Sequence, residues 1–145
     1  MGRFTRWSAL RHIDGKYDVY SIMDDFDGLH IYLHEDGGPG RQVELFFDHG
    51  VEAYHAAVEH CLIDVDTWGP LDDIDVGSHT FFSIEDSEYV EKIQAYSCDT
   101  LGKLVHHCIL GTNHIVDIVV MEAADQVEIR PFPAEFPVCV CGPSC

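Results

Sequence analysis

The stretch DVDTWGPLDDID, residues 64–75, sets five aspartates within twelve residues around one tryptophan. Carboxylates at this density either hold a divalent cation or face a basic protein. Laid on the EF-hand loop, Asp64, Asp66, Asp72 and Asp75 fall on the first, third, ninth and twelfth positions, and Gly69 falls on the turn glycine. Other features oppose calcium. Trp68 stands where the fifth position needs an oxygen, Pro70 stiffens the seventh, and Asp75 is shorter than the bidentate glutamate. The segment that follows, VGSHTFF, has strand patterning in place of an exiting helix. The stretch therefore reads as an acidic loop whose Trp68 either folds back onto the core and pins it or, exposed, anchors an interface. Asp64, Asp66, Trp68, Asp72, Asp73 and Asp75 form the expected binding set.

Other side chains carry chemistry of a different kind. His106, Cys108 and Asp117 fall on one face of an expected hairpin, with Asp117 opposite Cys108 and His106 diagonal to it. A thiol, a base and an orienting acid are the parts of a cysteine nucleophile. Cys108, however, lies mid-strand among apolar neighbours in an acidic chain, without the electropositive setting that yields a thiolate. A buried Asp117 needs hydrogen-bond donors, which His106 or a loop amide would supply, so the expectation is a satisfied core cluster. Glu52, His55 and Glu59 line one face at i, i+3 and i+7 if residues 51–62 are helical. A carboxylate-bridged metal pair needs a second such triplet, and the sequence has none. His30 and His34 share a strand face but lie about 13 Å apart, too far to chelate together. Cys139, Cys141 and Cys145 form C-x-C-x3-C, which lacks the four-ligand spacing of a zinc site. Trp7 and Tyr54 join Trp68 as aromatic interface candidates.

The elements that must position these residues follow from periodicity. YDVYSIM reads as a first strand. LHIYLHE and QVELFFD alternate, with Leu29, Ile31, Leu33, Val43, Leu45 and Phe47 on one face, and the Gly37–Gly40 cluster joins them as a hairpin. Val51, Tyr54, Val58 and Leu62 in VEAYHAAVEHCL follow helical spacing and predict a helix, with a strand as the alternative because the segment is short and ends in LIDVD. HTFFSIED reads as a strand. DSEYVEKIQAYSC reads as a helix capped by Asp86 or Ser87, with Tyr89, Ile93 and Tyr96 as its stripe. KLVHHCILGTNHIVDIVV is a hairpin pairing Leu110 with Ile115 and Cys108 with Asp117, apolar on both faces and therefore covered on both. QVEIRPF is a last strand, stopped by Pro131 and Pro133. The sum is an α+β fold: a largely antiparallel sheet with one or two packed helices. Residues 1–133 form the single domain and residues 134–145 a Pro- and Cys-rich tail.

The segments DSEYVEKI and HHCILGTNHIVDIVVMEA resemble the C-terminal half of a family of small uncharacterised bacterial proteins. In character, as a small acidic α+β chain, the protein is similar to the immunity proteins that neutralise bacterial toxins. Neither resemblance assigns a site.

The totals narrow the function. The 145 residues carry 26 acids and 8 bases, for a net charge of −18, and four of the bases lie within the first sixteen residues. Such a chain repels nucleic acid and anionic membranes and attracts basic partners. No run approaches the ~20 apolar residues of a membrane span. The basic start lacks an apolar signal core, and Arg6 stands where myristoylation needs Ser or Thr. The expected compartment is the cytoplasm. The leading expectation is a non-catalytic acidic binding protein, immunity- or inhibitor-like, that captures a basic protein and carries no cofactor. A metal-dependent hydrolase built on a His/Asp cluster is the alternative, and a domain that pairs with its own copy through a sheet edge is a third reading.

Overall fold

The computed structural model describes residues 2–13, 15–37, 40–58, 78–98 and 100–133. Among them are nine strands: β1 Arg3–Arg6, β2 Tyr17–Asp25, β3 Gly28–Glu35, β4 Gln42–Phe47, β5 Val51–Val58, β6 Phe81–Glu85, β7 Leu104–Leu110, β8 His114–Met121 and β9 Glu128–Pro131. One α-helix, α1 Glu88–Tyr96, lies between β6 and β7. The strands form two antiparallel sheets, one ordered β1-β6-β7-β8-β5 and the other β2-β3-β4-β9. The chain is thus a single α+β domain, with two sheets where one was expected.

Alternation explains how the sheets pack. Leu29, Ile31 and Leu33 of β3 and Val43, Leu45 and Phe47 of β4 are all buried in one core. Phe81, Ile109, Val116 and Ile118 from the five-stranded sheet meet them there, so this core lies between the two sheets. Fully burying one such side chain contributes about 2 kcal/mol. The opposite face of the five-stranded sheet has its own apolar cluster of Phe4, Phe82, Ile84, Cys108, Leu110 and Ile115. The expected two-faced hairpin is therefore β7 and β8, with Leu110 opposite Ile115 and Cys108 opposite Asp117.

Two expectations are overturned. Val51–Val58 is a strand, not a helix, paired along β8 from Val51 opposite Val120 to Val58 opposite His114. Helix propensity is a weak preference, and here it loses to the ladder that the apolar strand β8 offers on its second edge. Trp7, expected as an interface residue, is buried. It stacks on the His107 ring with centroids 3.9 Å apart and lies near Phe47. The strand β1 went unread because RFTR offers only Phe4 as an apolar signal. It is held as an edge by pairing with β6, including an Arg3–Glu85 ion pair.

Candidate functional site

Strand β7 points His106 and Cys108 away from the central core, and β8 places Asp117 beside them. The chain then uses α1 to close this face. Ser87 caps the helix, its Oγ accepting the Val90 N–H at 3.1 Å. The same hydroxyl lies 2.6 Å from His106 Nδ1. On the other side of the ring, His106 Nε2 lies 2.7 Å from Asp117 Oδ1. With the imidazole neutral, Nε2–H donates to the carboxylate and Nδ1 accepts the serine hydroxyl. All three residues are buried. Tyr89 of α1 meets the His106 ring edge-on. Burial, then the Asp117 charge, raises the Tyr89 phenol above its ordinary pKa.

Cys108 is brought to this cluster but not into the relay. Burial, followed by the charge and hydrogen bond of Asp117, pushes its thiol well above the ordinary value. It stays protonated, so the geometry does not arm it as a nucleophile. Asp117 has the partners that the sequence said it must find: His106 and the Cys108 thiol.

Two further histidines are held in the same manner. On the opposite face of β7, His107 lies between Ser83 Oγ at 2.7 Å and Asp125 Oδ1 at 2.8 Å, beneath Trp7. On the outer face of the four-stranded sheet, His30 lies between Glu44 Oε2 at 2.6 Å and Asp25 Oδ1 at 3.0 Å.

A different kind of surface forms at the β2–β3 turn. Met23, Asp24, Asp25, Phe26 and Asp27 are all exposed, and Phe26 is fully so. The tip is ordered by its own chemistry. Asp25 Oδ1 accepts the Asp27 N–H at 2.9 Å. That bond, ahead of the contact with His30, lowers the Asp25 pKa and keeps the carboxylate charged. Gly28 follows at φ +144°, where an added Cβ would sit 2.2 Å from the Phe47 carbonyl oxygen. Tyr54 of β5 lines the same groove as Asp24. Burial, then that carboxylate's charge and hydrogen bond, raises the Tyr54 phenol. Beside the tip is a groove of about 290 Å³, lined by Asp24, Asp48, His49, Glu52 and Tyr54 among others.

No family model, curated protein or solved structure matches the chain. The functional reading therefore rests on geometry.

The predicted residues are distributed as follows. His106, Cys108 and Asp117 come together. Glu52 and His55 are exposed on a strand with a bulge at Glu52, which undoes the helical spacing, and Glu59 lies outside the described residues. Among the described residues no group of three or more His, Cys, Asp or Glu is placed to share a metal ion. Asp64, Asp66, Trp68, Asp72, Asp73 and Asp75 lie outside the described residues, as does the tail with Cys139, Cys141 and Cys145. No helix among the described residues is long and apolar enough to cross a membrane. The sequence reading missed the hairpin tip, although its signal was present: DDFDG has the same aromatic-among-aspartates pattern that drew attention to Trp68. It found Ser87 only as a helix cap.

Proposed function

We propose that the protein is an acidic binding protein that captures a basic protein partner, in the manner of an immunity or inhibitor protein. The observation that carries this reading is Phe26, fully exposed at a hairpin tip between Asp24, Asp25 and Asp27. Aromatic side chains are the residues that most often anchor interfaces when a partner buries them. Carboxylates around it raise the encounter rate with a positive surface and select against acidic partners. The groove lined by Asp24, Asp48 and Glu52 is suited to a lysine or arginine side chain beside that anchor. The net charge of −18 acts in the same direction at longer range. On sequence grounds, Asp64, Asp66, Trp68, Asp72, Asp73 and Asp75 belong to the same proposal as a second acidic element around an aromatic.

The test pairs affinity capture, read by mass spectrometry, with kinetics on the captured basic protein. Phe26→Ala is expected to speed dissociation, costing about 2 kcal/mol or more of affinity. Asp24→Ser with Asp27→Ser is expected to slow association, most strongly at low salt. Replacing Asp72 and Asp73 by Ser probes the second element in the same way. Association rates indifferent to salt and to all these substitutions would refute the proposal.

A further inference from the structure

The Ser87–His106–Asp117 relay uses none of the β2–β3 tip residues, and its parts exceed what capping a helix requires. A cap needs Oγ to accept one backbone N–H, and Val90 supplies it at 3.1 Å. Here the hydroxyl also lies 2.6 Å from a buried imidazole whose far nitrogen is held by a buried carboxylate at 2.7 Å. That is the order nucleophile, base, orienting acid, with the two imidazole nitrogens exchanged relative to the common serine hydrolase arrangement. The backbone leading to it is unusual too. Asp86, between β6 and Ser87, has φ +53°, a left-handed conformation that a non-glycine residue adopts at some energetic cost. The chain thus runs strand, tight turn, serine, helix, the local path that presents a nucleophile at a helix N-terminus. A groove of about 420 Å³ opens on this point, lined by Ile84, Asp86, Ser87, Val90, Leu104 and His106 among others.

The geometry points to a second activity: Ser87 is the nucleophile of an acyl-transfer centre that hydrolyses small carboxylic esters. The groove also carries Glu85 and Glu91 against the single base Lys103, so it disfavours anionic substrates and suits neutral or cationic esters. In the first step Ser87 Oγ attacks the ester carbonyl carbon while its proton passes to His106 Nδ1. Asp117 accepts from Nε2–H throughout and stabilises the imidazolium. The positive end of the α1 dipole, at whose N-terminus Ser87 stands, favours developing negative charge at this end of the groove. The carbon–oxygen bond to the alcohol breaks, and the alcohol takes the proton from His106. Water then attacks the acyl-serine and gives its proton to His106. Collapse releases the acid and returns the proton to Ser87.

The test treats the whole chain with a fluorophosphonate, which bonds phosphorus to an activated serine oxygen and loses fluoride, and maps the labelled peptide. Hydrolysis of p-nitrophenyl butyrate, a choline ester and a succinate monoester is followed alongside. Label on Ser87, with turnover of the neutral and cationic esters above that of the anionic one, is the expected result. Ser87→Asn keeps a capping oxygen while removing the nucleophile, and is expected to lose the label and at least about 100-fold in turnover with native circular dichroism. Asp117→Asn, a positioning change, is expected to lower kcat with KM little altered. An unlabelled Ser87 in the wild-type chain overturns the assignment, as does turnover that persists in folded Ser87→Asn. A preference for the anionic ester overturns the substrate class. Loss of partner capture on Phe26→Ala leaves all of these readouts unchanged, so the two proposals fail separately.

Discussion

His30 shows how much of this molecule is decided by a single side chain's surroundings. Alternation in LHIYLHE places it correctly on the outer face of β3, but its partners come from elsewhere: Glu44 one strand over, and Asp25 across the hairpin. Burial opposes its protonation, yet the hydrogen bonds and charges of these two carboxylates outweigh it, and its pKa lies above the ordinary value. A group raised on folding stabilises the fold fully below its unfolded pKa, near 6.5, and loses that contribution as pH rises through the folded value. Glu44 is itself buried, so His30→Gln removes the imidazole partner of an inward carboxylate. We expect that substitution to cost about 1–3 kcal/mol at pH 6 and distinctly less at pH 9, read from urea midpoints. An equal cost at both pH values would mean that the histidine is not charged in the fold. The same contrast holds for Cys108 and Ser87. Both residue types were visible in the sequence, but whether each is inert or armed depends on which atoms of Asp117 and His106 reach it.

At the level of elements, the β7–β8 turn shows what patterning captures and what it omits. The two apolar runs around GTNH set the hairpin and its register. They do not reveal that the turn clasps the other sheet. Asn113 Oδ1 accepts the Val19 N–H at 2.8 Å, and its Nδ2 donates to the Val19 carbonyl at 2.9 Å. The Thr112 N–H donates to the Tyr17 carbonyl at 3.0 Å. These contacts engage the edge strand β2 at Val19, next to its register shift between Val19 and Ser21. Asn113→Ala is therefore expected to destabilise the domain by about 1–3 kcal/mol through the abandoned Val19 groups, with faster amide exchange at Val19. Unchanged exchange there would show that the clasp is dispensable. The β5 segment teaches the converse. Its alanines and its Val51, Tyr54, Val58 spacing favour a helix locally. The free edge of β8 made it a strand, and with that the helical spacing of Glu52 and His55 disappeared.

For the whole molecule, charge is the dominant fact. A net charge of −18 on 145 residues repels itself in the compact state. The described ion pairs that offset it, such as Lys103–Glu122 and Arg130–Glu128, are exposed or half-exposed and individually weak. Raising NaCl from about 10 mM to about 300 mM shortens the screening length to below about 10 Å. The melting temperature is expected to rise by several degrees over that range, and a flat or falling response would mean that self-repulsion does not limit stability. The sequence alone determined the acidity, the antiparallel α+β class, the two-faced β7–β8 hairpin, the helix α1 and the faces of β3 and β4. Each of these follows from composition or from side-chain period along one segment. Only the tertiary structure decided that there are two sheets, that β5 is a strand, that Trp7 is core, and that Phe26 is fully exposed. It also decided that Ser87, His106 and Asp117 meet. Those outcomes depend on contacts between residues far apart in the chain, such as Ser87 with His106 and His55 opposite Asp117. No local period encodes a partner supplied by another strand.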